Sequence, residues 1–132
     1  MKRSLLLSFL LLAFSSNSLA AGGGSAPVSE YFSFDSPFVV NIMDNNRMRF
    51  LQVAVQMKLV DPTMAADLTH HQHAIRHQLI MLLSSQQARS LYSTTGKERL
   101  RHSALEEIRE ALKGRAEHVE IEDIFFTSFI IQ

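Results

Sequence analysis

The clearest pattern in the chain lies between Arg49 and Val60, where Leu51, Val53, Val55, Met57 and Leu59 alternate with Gln52, Ala54, Gln56 and Lys58. A period of two puts the first set on the core face of a strand and the second towards water. The run from Phe38 to Met43 is another strand candidate, and Asp44-Asn45-Asn46 between the two tolerates left-handed backbone. Together they predict an antiparallel hairpin. Upstream, Tyr31 to Asp35 is apolar and aromatic, and Ser36-Pro37 marks extended backbone leading into the first of these strands.

After Asp61-Pro62 the period changes. Aspartate suits a helix N-cap and proline the first helical turn. At about 100° per residue, Met64, Leu68, Ile75, Leu79 and Leu82 fall on one stripe of a helix. Ser84-Ser85 and the stretch from Gln87 to Leu91 break or bend it. Thr95-Gly96-Lys97-Glu98 has the form of a capping box at the start of a second helix, in which the Thr and Glu side chains satisfy unpaired amides. Leu100, Ala104, Leu105, Ile108, Ala111 and Leu112 form that helix's buried face, and Gly114 stands where a left-handed C-cap is expected. His118 to Gln132 is the last strand. Phe125, Phe126, Phe129, Ile130 and Ile131 are apolar on both of its faces, which predicts a largely covered strand with the three phenylalanines in the core. Its alternative use is as an edge strand for subunit pairing. The order β-β-α-α-β predicts an α+β fold: a small antiparallel or mixed sheet with two helices packed on one face.

Composition narrows the function classes. The 132 residues are enough for one domain, and 46% hydrophobic against 20% charged residues is the balance of a chain that buries a core. Thirteen basic residues balance thirteen acidic ones with no concentration of Lys or Arg, which argues against a nucleic-acid reader. The absence of cysteine excludes disulfides, thiol catalysis and cysteine-based zinc sites. At the N-terminus, Lys2 and Arg3 precede a ten-residue stretch from Leu5 to Phe14 broken only by Ser8. Ser18-Leu19-Ala20 then offers small residues at the positions a signal peptidase reads. Residues 1–20 read as a signal peptide cleaved between Ala20 and Ala21. A short retained anchor is the alternative, although ten helical residues span only about 15 Å against about 30 Å of hydrocarbon. Residues 21–30, rich in Gly, Ser, Ala and Pro, read as a flexible linker, and residues 31–132 as the folded domain.

Candidate chemistry is sparse. Four of the six histidines, His70, His71, His73 and His77, fall within eight residues. His73 and His77 are spaced to share one metal ion on a helix face. His70 joins them on that face, but its rise to His77 is about 10 Å, too far for all three to bind one ion. Their face lies opposite the Leu68/Ile75/Leu79 stripe. A solvated polar face is the plain reading, with metal binding or a pH-sensitive contact surface as alternatives. Ser84-Ser85 has no nucleophile elbow around it. Glu106, Glu107 and Glu110 with Arg99, Arg101 and Arg109 form a charged helix face with (i, i+3) and (i, i+4) pairs. Asp35, Asp61, Glu120, Glu122 and Asp123 show no spacing that pairs carboxylates for acid-base work. Gly22-Gly23-Gly24 precedes no phosphate-loop pattern. No catalytic, cofactor-binding or metal residues are assigned.

Five stretches, in order, carry a resemblance. Pro37-Phe38-Val39-Val40-Asn41, Phe50-Leu51-Gln52-Val53, Ile75-Arg76 with Leu79 to Ser85, Leu91 followed by Thr95-Gly96-Lys97-Glu98 with Leu100-Arg101, and Phe126-Thr127 with Phe129 and Gln132 resemble the periplasmic domain of the flagellar basal-body protein family FliL. The resemblance covers about Tyr31 to Gln132. It implies a stomatin/prohibitin-like fold without catalytic residues. It also implies a protein that assembles as a homo-oligomer around the motor stator and supports rotation, swimming or swarming. The implied place is periplasmic, at the inner membrane and flagellar basal body, with membrane association through partners. Two departures stand out. The family usually carries a full transmembrane helix where this chain has a signal-like segment. Many members also have proline where this chain has Ala74, which predicts a longer uninterrupted helix here. A soluble periplasmic binding or sensing module unlinked to motility is the competing reading.

Overall fold

The computed structural model describes residues 30–132; the expected signal peptide, the Ala20–Ala21 cleavage point and almost all of the linker lie outside that range. The strand with strict alternation is the centre of the domain. It is β3, Arg47–Leu59, and it pairs with every other strand. β2, Phe38–Asp44, joins it through a two-residue turn, Asn45-Asn46, with Asp44 opposite Arg47. Asn45 has φ of 56°, the left-handed conformation for which asparagine suits the position. β1, Tyr31–Ser33, pairs further along the same side of β3, with Tyr31 opposite Lys58. On the other side, β4, Ile121–Ile131, runs antiparallel to β3 from Leu59 back to Leu51. All strand pairings are antiparallel.

Helices cover one face of this sheet. Asp61 caps a single 3-10 turn, Pro62–Met64, that leads into α1, Ala65–Ser84. Its carboxylate accepts from the hydroxyl of Thr63 at 2.7 Å and from the Thr63 amide at 2.9 Å, and these two bonds hold it below its ordinary range. A lowered carboxylate stabilises above its unfolded pKa and stops doing so as pH falls through the folded value. The cap is therefore complete at neutral pH and lost only in acid. α1 runs without interruption past Ala74, as the missing proline predicts. A short α2, Ala88–Leu91, leads to α3, Thr94–Leu112. α1 packs on α3 and β2, and α3 packs on β4. The core between the layers holds Phe38, Ile42, Leu51, Val53, Met57 and Leu59 from the sheet against Leu68, Ile75, Leu79, Leu83, Ala104 and Ile108 from the helices.

The α+β class and the helices on one face agree with the sequence reading, and several details are corrected. β1 is a separate strand, and α2 an additional helix. Leu83 rather than Leu82 completes the buried stripe of α1; Leu82 is half-buried. The α3 cap is Ser93, not Thr95: its backbone is extended (φ −91°, ψ 151°) and its hydroxyl accepts from the Gly96 amide at 3.0 Å. Glu98 is thereby released from capping and pairs with Arg101 instead. The expected strand from His118 starts only at Ile121, because Ala116 and Val119 close a turn first. Gly114 has the expected positive φ, 69°.

Arg76 has no counterpart in the hydrophobic pattern, yet it ties α1 to the sheet's first loop. Its guanidinium lies 4.5 Å from the Phe38 ring centre and 5.8 Å from that of Phe34. It also donates to the Ser36 and Pro37 carbonyls and to the Ser36 hydroxyl. Arg76→Ala removes all of these at once and is expected to lower stability by about 2 kcal/mol, with Arg76→Lys recovering only part of it. Urea denaturation of the two variants checks the ranking.

Candidate interaction surface

Among the described residues no element covers the face of the sheet turned away from the helices, the bare face. Its residues follow from register: Val39, Asn41 and Met43 on β2; Met48, Phe50, Gln52, Ala54, Gln56 and Lys58 on β3; Phe125, Ser128 and Ile130 on β4; Tyr31 and Ser33 on β1. The middle of β3 is polar on this side, as its alternation requires. The flanking positions are not. Val39 and Ile130 stand on either side of Gln52, Met43 faces Met48, and Phe50 faces Asn41. Val39, Phe50 and Met48 are 59%, 55% and 63% exposed. At the other end, Tyr31 and Phe125 meet across β3 with ring centres 6.3 Å apart. The Lys58–Glu122 pair, at 2.9 Å, is the ion pair at this face's margin.

β4 departs most from expectation. Its composition predicts cover on both faces with Phe125, Phe126 and Phe129 in the core. Only Ile121 and Ile124 are buried; Phe126, Phe129 and Ile131 are half-buried beneath the helices, and Phe125 and Ile130 are exposed on the bare face. The physical reason is two irregularities in the β3–β4 register, between Ala54 and Val55 and between Lys58 and Leu59. Each inserts a residue into β4 and shifts its alternation. A strand apolar on both faces predicts double cover, but among the described residues helices lie on one side alone.

The histidines do not gather. His70, His73 and His77 are exposed along α1, and His70 and His71 stack edge to face at 4.8 Å. His118 meets Asp67 at 2.9 Å. Among the described residues no three His, Cys, Asp or Glu side chains are placed to hold a metal ion. Ser84 ends α1, and the Ser85 hydroxyl donates to the Leu82 carbonyl, a helix-terminating role. Arg109 pairs with Glu106 along α3, as the spacing predicts, whereas Arg101 pairs with Glu98, the residue expected in the cap. Arg101 does more: it also pairs with Asp123 of β4. The Glu98 bond first, and then the charge of Asp123, raise its pKa despite partial burial.

A family model described as flagellar basal body-associated protein FliL matches residues 31–132. The chain belongs to the FliL family. The flagellar protein FliL of Aquifex aeolicus (strain VF5) is similar to it, 22% identical over 101 residues, which is 76% of this chain and 60% of that protein. The chain thus spans less than two-thirds of that relative's length. The FliL match starts at the first residue of β1, so both the bare sheet face and β4 lie inside it. Among the described residues of this FliL chain, no helix is long and apolar enough to cross a membrane.

Proposed function

We propose that this FliL-family domain is a non-enzymatic, exported component of the flagellar basal body that assembles with copies of itself beside the motor stator and supports rotation. The observation that carries the reading is the bare sheet face. Seven large apolar side chains are exposed on it (Tyr31, Val39, Met43, Met48, Phe50, Phe125 and Ile130), with neutral Gln and Asn between them. A large exposed apolar surface interspersed with neutral polar residues is the usual mark of a protein contact. Its near-neutrality avoids repulsion between like copies. In this reading the domain shares the stomatin/prohibitin-type fold. Residues 1–20 direct export and are cut between Ala20 and Ala21, residues 21–30 tether the domain, and it works in the periplasm against the inner membrane through its partners. N-terminal sequencing that begins at Ala21 supports the cleavage; an intact chain from Met1 in the membrane fraction contradicts it.

Gene deletion with complementation tests the function. Loss of swimming or swarming on deletion, restored by the wild-type chain, is expected. A Val39→Ser, Phe50→Ser, Ile130→Ser triple variant is expected to melt like the wild type, because all three side chains are exposed, yet to fail in restoring motility. Intact motility after deletion would instead favour a periplasmic binding module unlinked to the motor.

A further inference from the structure

The outer edge of β4 is a second surface, separate from the bare face. The amides of Phe50 and Gln132 exchange hydrogen bonds at 2.9 Å. In an antiparallel ladder such pairs alternate with pairs whose amides point away from each other. Gln52–Ile130 and Ala54–Ser128 are therefore bonded pairs, while the amides and carbonyls of Ile131 and Phe129, opposite Leu51 and Val53, point to the free edge. The first half of that edge is hooded from α3: Arg109 donates to the Ile121 carbonyl at 3.2 Å and Arg101 to that of Ile124 at 3.4 Å. Past Ile124 the hood stops. Among the described residues no strand pairs with this side of β4.

Beside the open stretch lies a cleft of about 530 Å³ between the first half of α3 and β4. Lys97 and Arg101 line one wall, and Phe126 and Phe129, 5.6 Å apart, line the other. Arg101 is neutralised by Glu98 and Asp123. Among the described residues Lys97 pairs with no carboxylate; its ammonium sits 5.2 Å from the Phe129 ring centre, in the first turn of a helix that has no acidic residue there. The cleft thus has an apolar wall, an unpaired row of backbone groups and one unneutralised cation near the positive end of a helix dipole.

We propose that the β4 edge from Phe125 to Ile131 accepts an extended, apolar segment of a partner protein as an added strand, with an acidic residue of that segment set against Lys97. Backbone hydrogen bonds to Phe129 and Ile131 supply register, alternate side chains fill the cleft against Phe126 and Phe129, and the charge fixes orientation. A second copy fits less well. Antiparallel pairing of this open stretch with itself centres on Ser128 and brings two Lys97 ammoniums to one short stretch of edge. The proposal concerns a different surface from the bare face and stands whether or not the motor reading holds.

The probe is a short fluorescein-labelled peptide alternating valine and threonine around a central aspartate, titrated into the purified chain by anisotropy. Saturable binding is expected, with slowed hydrogen exchange at the Phe129 and Ile131 amides. Lysine in place of the aspartate, or N-methylation of the edge-facing peptide amides, should each weaken binding roughly tenfold. Lys97→Glu protein should prefer the lysine peptide. The N-methylated peptide keeps the test independent of any folding defect in the variant. Binding indifferent to N-methylation or to charge, or no binding at millimolar peptide, overturns the proposal. Protection of the same amides that grows with protein concentration without peptide also overturns it, and assigns the edge to a second copy.

Discussion

Leu79→Asp is expected to unfold the domain, while His73→Ala leaves its melting unchanged. Leu79 is 1% exposed in the middle of the α1 stripe, between Ile75 and Leu83 and against the sheet. A carboxylate there has no partner and no water, which costs several kcal/mol, comparable with the whole stability of a domain at about 5–15 kcal/mol. His73 projects from the opposite, solvated side of the same helix, where a substitution stays within about 0.5 kcal/mol. Circular dichroism melts of the two purified variants decide it. A folded Leu79→Asp protein, or equal losses in both variants, would mean that the face of α1 is wrongly assigned.

Gly96→Ala is expected to cost at least about 3 kcal/mol, an unusually large effect for one methyl group. Gly96 is buried in the first turn of α3, and a Cβ built on it would lie 1.6 Å from the carbonyl oxygen of Ser90. No side-chain rearrangement relieves contact with a backbone atom. The α2–α3 junction must open, and with it goes the Ser93 hydroxyl bond to the Gly96 amide that caps the helix. Gly114→Ala makes a useful contrast: nothing lies within 4 Å of its Cβ, and its cost is the left-handed φ of 69° alone, about 1 kcal/mol. Urea denaturation should rank Gly96→Ala well below Gly114→Ala. The reverse order would contradict the close packing at Ser90.

Elements with one clean period were legible from sequence. β3 and α3 each bury one face, so the alternation of Leu51 to Leu59 and the stripe from Leu100 to Leu112 map directly onto the core. Three features were not legible, each for a physical reason. β1 is only three residues long and takes its place from the register against Met57 and its neighbours, a tertiary effect with no local period. The α3 cap shifted from Thr95 to Ser93 because several residues in that stretch can cap, and packing of Gly96 against Ser90 selects one. The faces of β4 depend on two register shifts, and a bulge leaves no mark in a run of Ile and Phe. The bare face did leave a signal. Phe50 shares the parity of Gln52 and Gln56, and Val39 the opposite parity to Phe38 and Val40, so apolar residues were already placed on the polar side of the hairpin. The signal was masked by the polar centre of β3, which made the whole face look solvated.

Assembly through the bare sheet face is the central claim, and the absence of native cysteine makes it directly measurable. A single Gln56→Cys variant places a thiol on that face, and His73→Cys places one on the exposed side of α1. Glu120→Cys, just before β4 and across from Val60, gives a third exposed position at the margin of the face. Site-specific cross-linking in motile cells is expected to join Gln56→Cys to another copy or to a basal-body component, with little or no product from His73→Cys. Products from His73→Cys with none from Gln56→Cys or Glu120→Cys would contradict the claim, as would the absence of any cross-link in cells that swim normally.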